Sequence, residues 1–345
     1  MKTKQTVVVV IVVILFLVTG VSGVISAHYN NKLAKEQAKE LKSTFSDMFG
    51  TVSEAKDKVT YPNEKFVARL DIVGTIMPSD SGTSYFSQAT GGQYNHDLYM
   101  KTINDLIDND NNTGILLYVN SPGGTVYESD ELYEKLMEYK EKTKRPVYAY
   151  FASEACSGGY YISMAADKIY ANRNCWTGSI GVIISLTNYK ELMDKLGVKE
   201  IDITSGRNKA MGSAAADMTD EQEKILQSLV DEAYDQFTGI VSEGRNLPVD
   251  TVKKLADGRI YSAQQALDNK LIDDIMGEED ALASLNKDFG LDEDAEYFVP
   301  GGDSISDIFG SLFGKVSSMK EKSELEMLEE MMNDSKNGEL MYYAK

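Results

Sequence analysis

The hydrophobic pattern of the chain begins with one uninterrupted apolar run near its start. Residues 7–27 carry only apolar, small and hydroxyl side chains, and a helix with a rise of about 1.5 Å per residue would span roughly 31 Å, the thickness of a bilayer core. Lys2 and Lys4 precede the run without an acidic residue, which predicts a cytoplasmic N-terminus and an extracytoplasmic remainder. A cleaved signal peptide is the alternative, because small residues such as Ser22 and Gly23 would permit cleavage.

A different pattern begins near residue 65, where short apolar runs alternate with segments of helical spacing. The predicted strands are 66–76, 113–120, 147–152, 168–172 and 199–204, and the predicted helices are 96–109, 127–143, 219–256 and 262–273. This alternation predicts an α/β domain with largely parallel strands.

The distribution of apolar and charged residues along the sequence also predicts a division into four parts. These are an N-terminus with a transmembrane anchor (1–27), a charged stalk (28–60), the α/β domain (61–285) and an acidic tail (286–345).

The charge and the scarcity of two residue types exclude several functions. The chain has 35 basic and 54 acidic side chains, a formal net charge of −19, and such a surface repels phosphate backbones, so we expect no nucleic-acid binding. Two histidines and two cysteines are too few for a zinc ribbon or a disulfide framework. Cys156 and Cys175 are small core residues or, alternatively, a single bridge. His96 is the one candidate for an imidazole base, because His28 borders the apolar run.

The segment 155–159 (ACSGG) lies between a predicted strand and a predicted helix. A serine in such a turn projects its hydroxyl, and the free N–H groups at a helix start can stabilise a developing negative charge. Ser157 is therefore a candidate nucleophile, and the N–H of Gly158 is a candidate for half of an oxyanion hole. The segment approaches a G-x-S-x-G nucleophile elbow, with Ala155 in place of the first glycine. The alternative is that Ser157 only caps the helix.

A second glycine-rich strand end occurs at 120–124 (NSPGG). Paired glycines let a backbone approach a ligand closely and leave N–H groups unblocked. Gly124 or Gly123 is therefore a candidate for the second oxyanion donor, with a simple tight turn as the alternative. Ligands of α/β domains bind at the carboxyl ends of strands, which favours a functional role for both turns.

A serine nucleophile needs a base, and the sequence offers two candidates. His96 lies at a predicted helix start, far along the chain from either glycine turn. A lysine can act as the base when desolvation lowers its pKa toward neutrality. Lys209 lies in a loop of small residues (204–214) after a predicted strand, where neighbouring backbone would be able to bury it. The alternative is a solvated surface lysine.

Five ordered segments resemble the signal peptide peptidase A family, which comprises membrane-bound serine proteases of peptidase family S49 in the crotonase/Clp-protease superfamily. They are VNSPGG (119–124), ASEACSGGYYISMAADKIYAN (152–172), TGSIGVI (177–183), SGRNKAMGS (205–213) and ADGRIYSAQQALDNKLID (256–273). The resemblance covers about residues 67–275, and the apolar run agrees with the short, Gram-positive-type members. It implies an α/β fold of repeated β-β-α units.

The resemblance also implies roles for individual residues. Ser157 matches the nucleophile, Lys209 the general base, and Ser179 a hydroxyl that orients the lysine. Gly158 and the Gly123–Gly124 turn match the oxyanion donors. A Ser/Lys dyad of this kind requires no metal or cofactor, and the family implies a membrane-held homo-oligomer that degrades remnant signal peptides and other unfolded peptides.

The last residues of the tail carry a separate expectation. The pentamer 340–344 (LMYYA) resembles an extended peptide substrate, which predicts that it occupies the groove of its own or a neighbouring subunit and lowers activity. A disordered end is the alternative.

Two other functional classes share this fold. A crotonase-type acyl-CoA hydratase is disfavoured by the export signal and the acidic charge. A catalytically silent membrane scaffold is disfavoured by the presence of both Ser157 and Lys209.

Overall fold

A computed structural model describes residues 59, 61–79, 94–291 and 297–300 and the backbone of 341–343. The predicted anchor (7–27) lies outside these residues, as do the stalk (28–60, apart from residue 59) and most of the tail. Within the described ranges, no helix is both long enough and apolar enough to cross a membrane. All the elements below belong to the second of two compact units, Tyr61–Lys345.

A parallel sheet forms the centre of this unit. Its order is β1-β2-β4-β5-β8, and each neighbouring pair is parallel. The bounds of these strands are β1 Phe66–Val73, β2 Asn112–Ser121, β4 Val147–Cys156, β5 Lys168–Ala171 and β8 Asp274–Ile275. The predicted α/β class with largely parallel strands is therefore confirmed.

Four shorter strands extend this framework. Strand β6 (Trp176–Gly178) pairs in parallel with the end of β4, and β7 (Ile260–Ser262) pairs antiparallel with β6. Strand β3 (Gly123–Thr125) forms a separate antiparallel pair with β9 (Met341–Tyr343). The chain leaves β2 and β4 at the same edge of the sheet, because parallel strands share one direction, and so the two glycine-rich turns lie side by side.

The helices cover the sheet and connect its strands. They are α1 His96–Ile107, α2 Val126–Thr143, α3 Gly158–Ile162, α4 Lys190–Leu196, α5 Asp220–Gly244, α6 Val249–Leu255, α7 Ala263–Asp268 and α8 Glu278–Phe289. A short 3-10 turn, Ser163–Ala165, follows α3.

The core has two parts because successive side chains of a strand point to opposite faces of the sheet. On β4, Ala149 and Phe151 enter a large cluster with helices α1, α2, α3 and α5. Tyr148 and Tyr150 face the other way and pack in a smaller cluster under α8. Burial of each such aromatic side chain contributes roughly 1.5–3 kcal/mol, so the strands that carry the glycine-rich turns are firmly held on both faces.

Three predicted elements differ from the structure. The predicted helix 219–256 is two helices, α5 and α6, because Pro248 cannot continue an α-helix. The predicted helix 262–273 ends at Asp268. The predicted strand 199–204 is wrong: these residues are irregular and exposed. An alternating sequence forms a strand only where a neighbour accepts its backbone hydrogen bonds, and none of the described strands pairs with this segment.

The predicted boundary between domain and tail, at residue 285, falls inside helix α8. Leu285 and Phe289 are both buried in the smaller cluster, so the packed unit continues through this helix. Further along, the backbone of Phe298 bonds to Val67 and Arg69 of β1.

Candidate active site

Ser157 lies at the sharp turn between β4 and α3. Its backbone has φ +51° and ψ −115°, a conformation that is strained for any residue with a side chain and that must be held by its surroundings. Its N–H donates to the Gly178 carbonyl (2.8 Å) and its carbonyl accepts from the Tyr161 N–H (2.8 Å). The side chain is buried, and Oγ has no hydrogen-bond partner among the described residues. The backbone therefore fixes the direction of this buried hydroxyl, which is available for reaction.

Two glycines bring backbone amides next to this turn. A Cβ built on Gly158 would lie 3.1 Å from the Gly124 nitrogen and 2.5 Å from Ser129 Oγ. A Cβ on Gly124 would lie 1.7 Å from the Ile76 carbonyl oxygen. Both positions therefore exclude a side chain, and the two predicted oxyanion donors, Gly158 and Gly124, come together in space.

The backbone N–H of Gly123 is not free to act as an oxyanion donor. Its N–H donates to the Ser121 Oγ at 3.1 Å, so it is engaged inside the protein. The sequence predicts Gly123 or Gly124 as the second donor, and the hydrogen bonding leaves Gly124 for that role. Sequence reasoning missed Ser121 itself. The signal was available, because a serine two residues before a turn N–H commonly accepts a hydrogen bond from it.

Strand β3 presents an edge to an extended chain beside Ser157. The Gly123 carbonyl accepts from the Ile76 N–H, and the Thr125 N–H donates to the Ile76 carbonyl, both at 2.8 Å. The N–H and carbonyl of Gly124 consequently face the opposite edge, where β9 pairs antiparallel with Gly124 opposite Tyr342. The chain's own residues 341–343 thus lie along this edge as an added strand. This geometry suits main-chain recognition of an extended peptide.

Ser179 follows β6 and is a close neighbour of the Ser157 turn through the backbone. The preceding residue, Gly178, accepts the Ser157 N–H and pairs with Cys156 in the sheet. Ser179 is buried, has φ +49° and donates its own N–H to the Arg259 carbonyl (2.8 Å). Its position is therefore fixed relative to the nucleophile candidate.

Lys209 lies apart, on the exposed segment formed by residues 183–218. No described contact joins it to Ser157, and its side chain makes no hydrogen bond or ion pair with a described residue. It lines an open surface cavity with Glu200 and Asp202. The neighbouring guanidinium of Arg207 is paired with Glu221 at 2.5 Å, which neutralises the positive charge beside Lys209.

His96 occupies a different position from the glycine turns. Its ring is buried, with Nδ1 2.7 Å from the Tyr94 hydroxyl and Nε2 2.8 Å from Glu131 Oε2. Both nitrogens are engaged, so this histidine acts as a structural link between α1 and α2 rather than a free base.

The two cysteines are free and buried. Burial raises the pKa of the Cys175 thiol to about 12 and that of Cys156 above its ordinary value. Among the described residues, no group of His, Cys, Asp or Glu side chains is arranged to hold a metal ion.

Comparison with known proteins matches two family models to this region. The model "Peptidase family S49" matches residues 139–292, which include Ser157, Ser179 and Lys209. The model "Clp protease" matches residues 89–184, which include both glycine-rich turns.

Individual relatives extend the same similarity. A protein of Enterococcus faecium named "Putative signal peptide peptidase SppA" is 43% identical over 227 residues, covering 66% of this chain and 64% of the relative. A "Putative protease" of Synechocystis is 42% identical, covering 60% of this chain and 78% of the relative. "Protease 4" of Haemophilus influenzae is 31% identical, covering 67% of this chain and only 36% of the relative. The chain thus spans about two thirds of the first relative and about a third of the last.

Proposed function

Because the chain belongs to peptidase family S49, a family of serine peptidases, we propose that it is a serine endopeptidase with Ser157 as its nucleophile. One observation carries this proposal above the others. The Ser157 hydroxyl, which is buried and has no hydrogen-bond partner in the described part of the chain, lies beside the Gly158 and Gly124 amides, at a strand edge that holds an extended chain. A nucleophile, oxyanion donors and a peptide-binding edge are three of the parts that acyl transfer requires, and the fourth is a general base.

The reaction follows from these parts. Neutral Lys209 takes the proton from Ser157 Oγ, and the oxygen attacks the carbonyl carbon of the peptide bond. The resulting oxyanion accepts hydrogen bonds from the Gly158 and Gly124 N–H groups. The lysine ammonium then protonates the departing amine, leaving an acyl-enzyme on Ser157. Water, deprotonated by the same lysine, attacks the ester carbonyl. The bond from this carbon to Ser157 Oγ then breaks, the lysine ammonium returns the proton to Oγ, and the acid is released. Ser179 orients the lysine, and the cycle needs no metal or cofactor.

Lys209 can serve as the base only after it is removed from water, because desolvation favours the neutral form of a lysine. Within the described chain it is exposed. The same segment exposes large apolar side chains: Leu196 is 70%, Ile201 83% and Ile203 98% exposed. Several large apolar side chains exposed on one short segment favour association with another surface. A second copy of the chain that covers this segment would bury Lys209 and bring a nucleophile to it, so the active form is a homo-oligomer.

The substrate class follows from the edge strand. Strand β3 contributes glycines at two of its three positions, so it bonds the main chain of a substrate and offers few side-chain contacts. Such an edge accepts unfolded, extended peptides of varied sequence. Residues 7–27 would anchor the chain in the cell membrane with the catalytic domain outside the cytoplasm, which holds the site near the bilayer where remnant signal peptides remain. Remnant signal peptides are therefore the proposed physiological substrate.

The test is cleavage of an unfolded protein and of a membrane-embedded signal peptide by the full chain in detergent. Ser157→Ala and Lys209→Ala should each abolish cleavage. Lys199→Ala, at another exposed lysine of the same segment, is the matched control and should leave cleavage unchanged.

Each part of the proposal has its own contrary result. Equal loss in Lys199→Ala and Lys209→Ala would contradict the specific role of Lys209. Intact signal peptides beside active enzyme would contradict the substrate. A parent chain with no cleavage would contradict the enzymatic function and favour a silent scaffold.

A further inference from the structure

Ser121 lies where three elements of the proposed site meet. It is the last residue of β2 and is fully buried. Its Oγ donates to the Gly74 carbonyl at the end of β1 (2.6 Å) and accepts from the Gly123 N–H (3.1 Å). On its other side, a Cβ built on Gly159 would lie 3.0 Å from the Ser121 carbonyl oxygen. The Ser121 side chain therefore links the β1 end to the glycine turn, and the Ser121 backbone packs closely against the start of α3.

The hydrogen bond from Gly123 fixes the direction of the next amide. Gly123 has φ +106°, a conformation that glycine adopts without steric cost and can equally leave. With its N–H tied to Ser121 and its carbonyl tied to Ile76, the peptide linking Gly123 to Gly124 has little freedom to rotate. That peptide carries the Gly124 N–H, the proposed oxyanion donor.

We propose that Ser121 is a positioning residue, which holds the Gly124 amide in the direction needed to stabilise the oxyanion. This inference rests on the proposed function and deepens it, because it assigns the geometry of the oxyanion hole to a hydroxyl that touches neither substrate nor nucleophile. Without Oγ, the buried Gly123 N–H and Gly74 carbonyl both lose their partner. The glycine turn then relaxes, and the Gly124 N–H no longer points at the position of the developing charge.

The predicted signature is a selective loss in the chemical step. Loss of an entire oxyanion donor lowers kcat by about 10²–10³, so misdirection of one donor in Ser121→Ala should lower kcat by roughly tenfold to a hundredfold. KM should change little, because interactions made mainly in the transition state are expressed in kcat. Ser121→Cys has a side chain of similar size that forms only weak hydrogen bonds, so it should show most of the same loss of kcat. This variant provides the test if Ser121→Ala fails to fold.

The matched control is Thr238→Val. Thr238 is also fully buried, and its Oγ1 donates to the Tyr234 carbonyl (3.0 Å) within helix α5, which contributes no residue to either glycine-rich turn. It should keep kcat within about twofold of the parent. Amide hydrogen exchange at Gly123 supplies a readout independent of activity and should accelerate in Ser121→Ala but not in the control.

The outcomes separate this inference from the function on which it rests. If the parent cleaves peptides and both Ser121 variants retain its kcat, the positioning role is overturned while the peptidase stands. Equal changes of kcat and KM in the Ser121 and Thr238 variants would reduce Ser121 to a general structural role and also overturn the proposal. A parent that cleaves nothing overturns the proposed function, and the positioning role with it.

Discussion

The two side chains of the proposed dyad lie in opposite surroundings. Ser157 is 1% exposed, and backbone hydrogen bonds on both sides fix its strained turn. Lys209 is exposed, on a segment whose helix α4 contains no buried residue. The difference indicates that the chain alone builds the turn of the proposed nucleophile and the proposed oxyanion donors. In the proposed enzyme, the environment of the base would be set by the second copy that covers residues 183–218.

The two regions also differ in how much the burial of apolar side chains stabilises them. A strained conformation such as that of Ser157 costs on the order of 1–3 kcal/mol. It is offset by the burial of Tyr160 and Tyr161 in the adjoining helix, at roughly 1.5–3 kcal/mol for a large apolar side chain. On the exposed segment, Ile201 and Ile203 bury almost nothing, so their contribution becomes available only on association.

The largest effect is expected where the two glycine-rich turns are in contact. In Gly158→Ala, the new Cβ would lie 2.5 Å from Ser129 Oγ and 3.1 Å from the Gly124 nitrogen. The two proposed oxyanion donors must separate, and peptide cleavage should fall by at least about a hundredfold. Initial rates with an unfolded protein substrate measure this loss.

Gly239→Ala provides the control for that comparison. Gly239 lies within α5, where an added Cβ has no atom within 4 Å. Alanine at this half-buried helix position should preserve activity and add about 0.5–1 kcal/mol to the free energy of unfolding. Comparable activity in Gly158→Ala and Gly239→Ala would show that the crowded turn is not the catalytic centre.

This contrast also explains how much could be predicted from the sequence. The Ser157 turn was predictable because its signals, a buried strand followed by a serine and two glycines, are adjacent in the sequence. The surroundings of Lys209 were not, since the alternation in residues 199–204 predicts a strand but no described strand pairs with it. The hydrogen bond from Gly123 to Ser121 is a local one that the sequence could have indicated, whereas the bond from Ser121 to the Gly74 carbonyl joins distant residues and required the structure.

The second prediction tests the exposed region. Ile203→Asp places a charge at a position that is 98% exposed, so the fold of the isolated chain should be unaffected. If a second copy covers this position, burial of an unpaired carboxylate is costly. The variant should then dissociate and lose roughly tenfold or more of its activity at low protein concentration. Sedimentation and cleavage rates over a dilution series measure both effects.

Val249→Asp is the matched control for association. Val249 is an apolar residue, 43% exposed, at the first position of α6, away from the exposed segment in sequence. It should sediment and cleave like the parent. If Ile203→Asp keeps both the parent's size and its activity, the base does not depend on a partner at this surface, and the comparison between the two regions fails.

A third prediction concerns the strand edge itself. Residues 341–343 pair with β3 opposite Gly124, so they occupy the position that a substrate main chain would take. Deletion of residues 340–345 should therefore raise the turnover of short peptides several-fold, chiefly through a lower KM, because a competing strand is removed. Adding the deleted hexapeptide back at increasing concentration should reverse the gain. Unchanged kinetics after deletion would mean that the tail does not limit access to the edge.

The smallest expected effect concerns the buried thiols of Cys156 and Cys175. Burial raises the pKa of Cys175 to about 12, against an ordinary cysteine pKa of about 8.5 in the unfolded chain. Above that lower value the unfolded state releases a proton that the folded state keeps, so the free energy of unfolding falls as pH rises, by about 1.4 kcal/mol per pH unit for one group. Cys175→Ser does not titrate there and its hydroxyl replaces the bond that Cys175 donates to the Trp176 carbonyl. Urea unfolding between pH 8 and 10 should therefore show a shallower decline of the free energy of unfolding in this variant than in the parent. An identical slope in the two proteins would indicate that the Cys175 thiol contacts water, and would contradict the burial of this region.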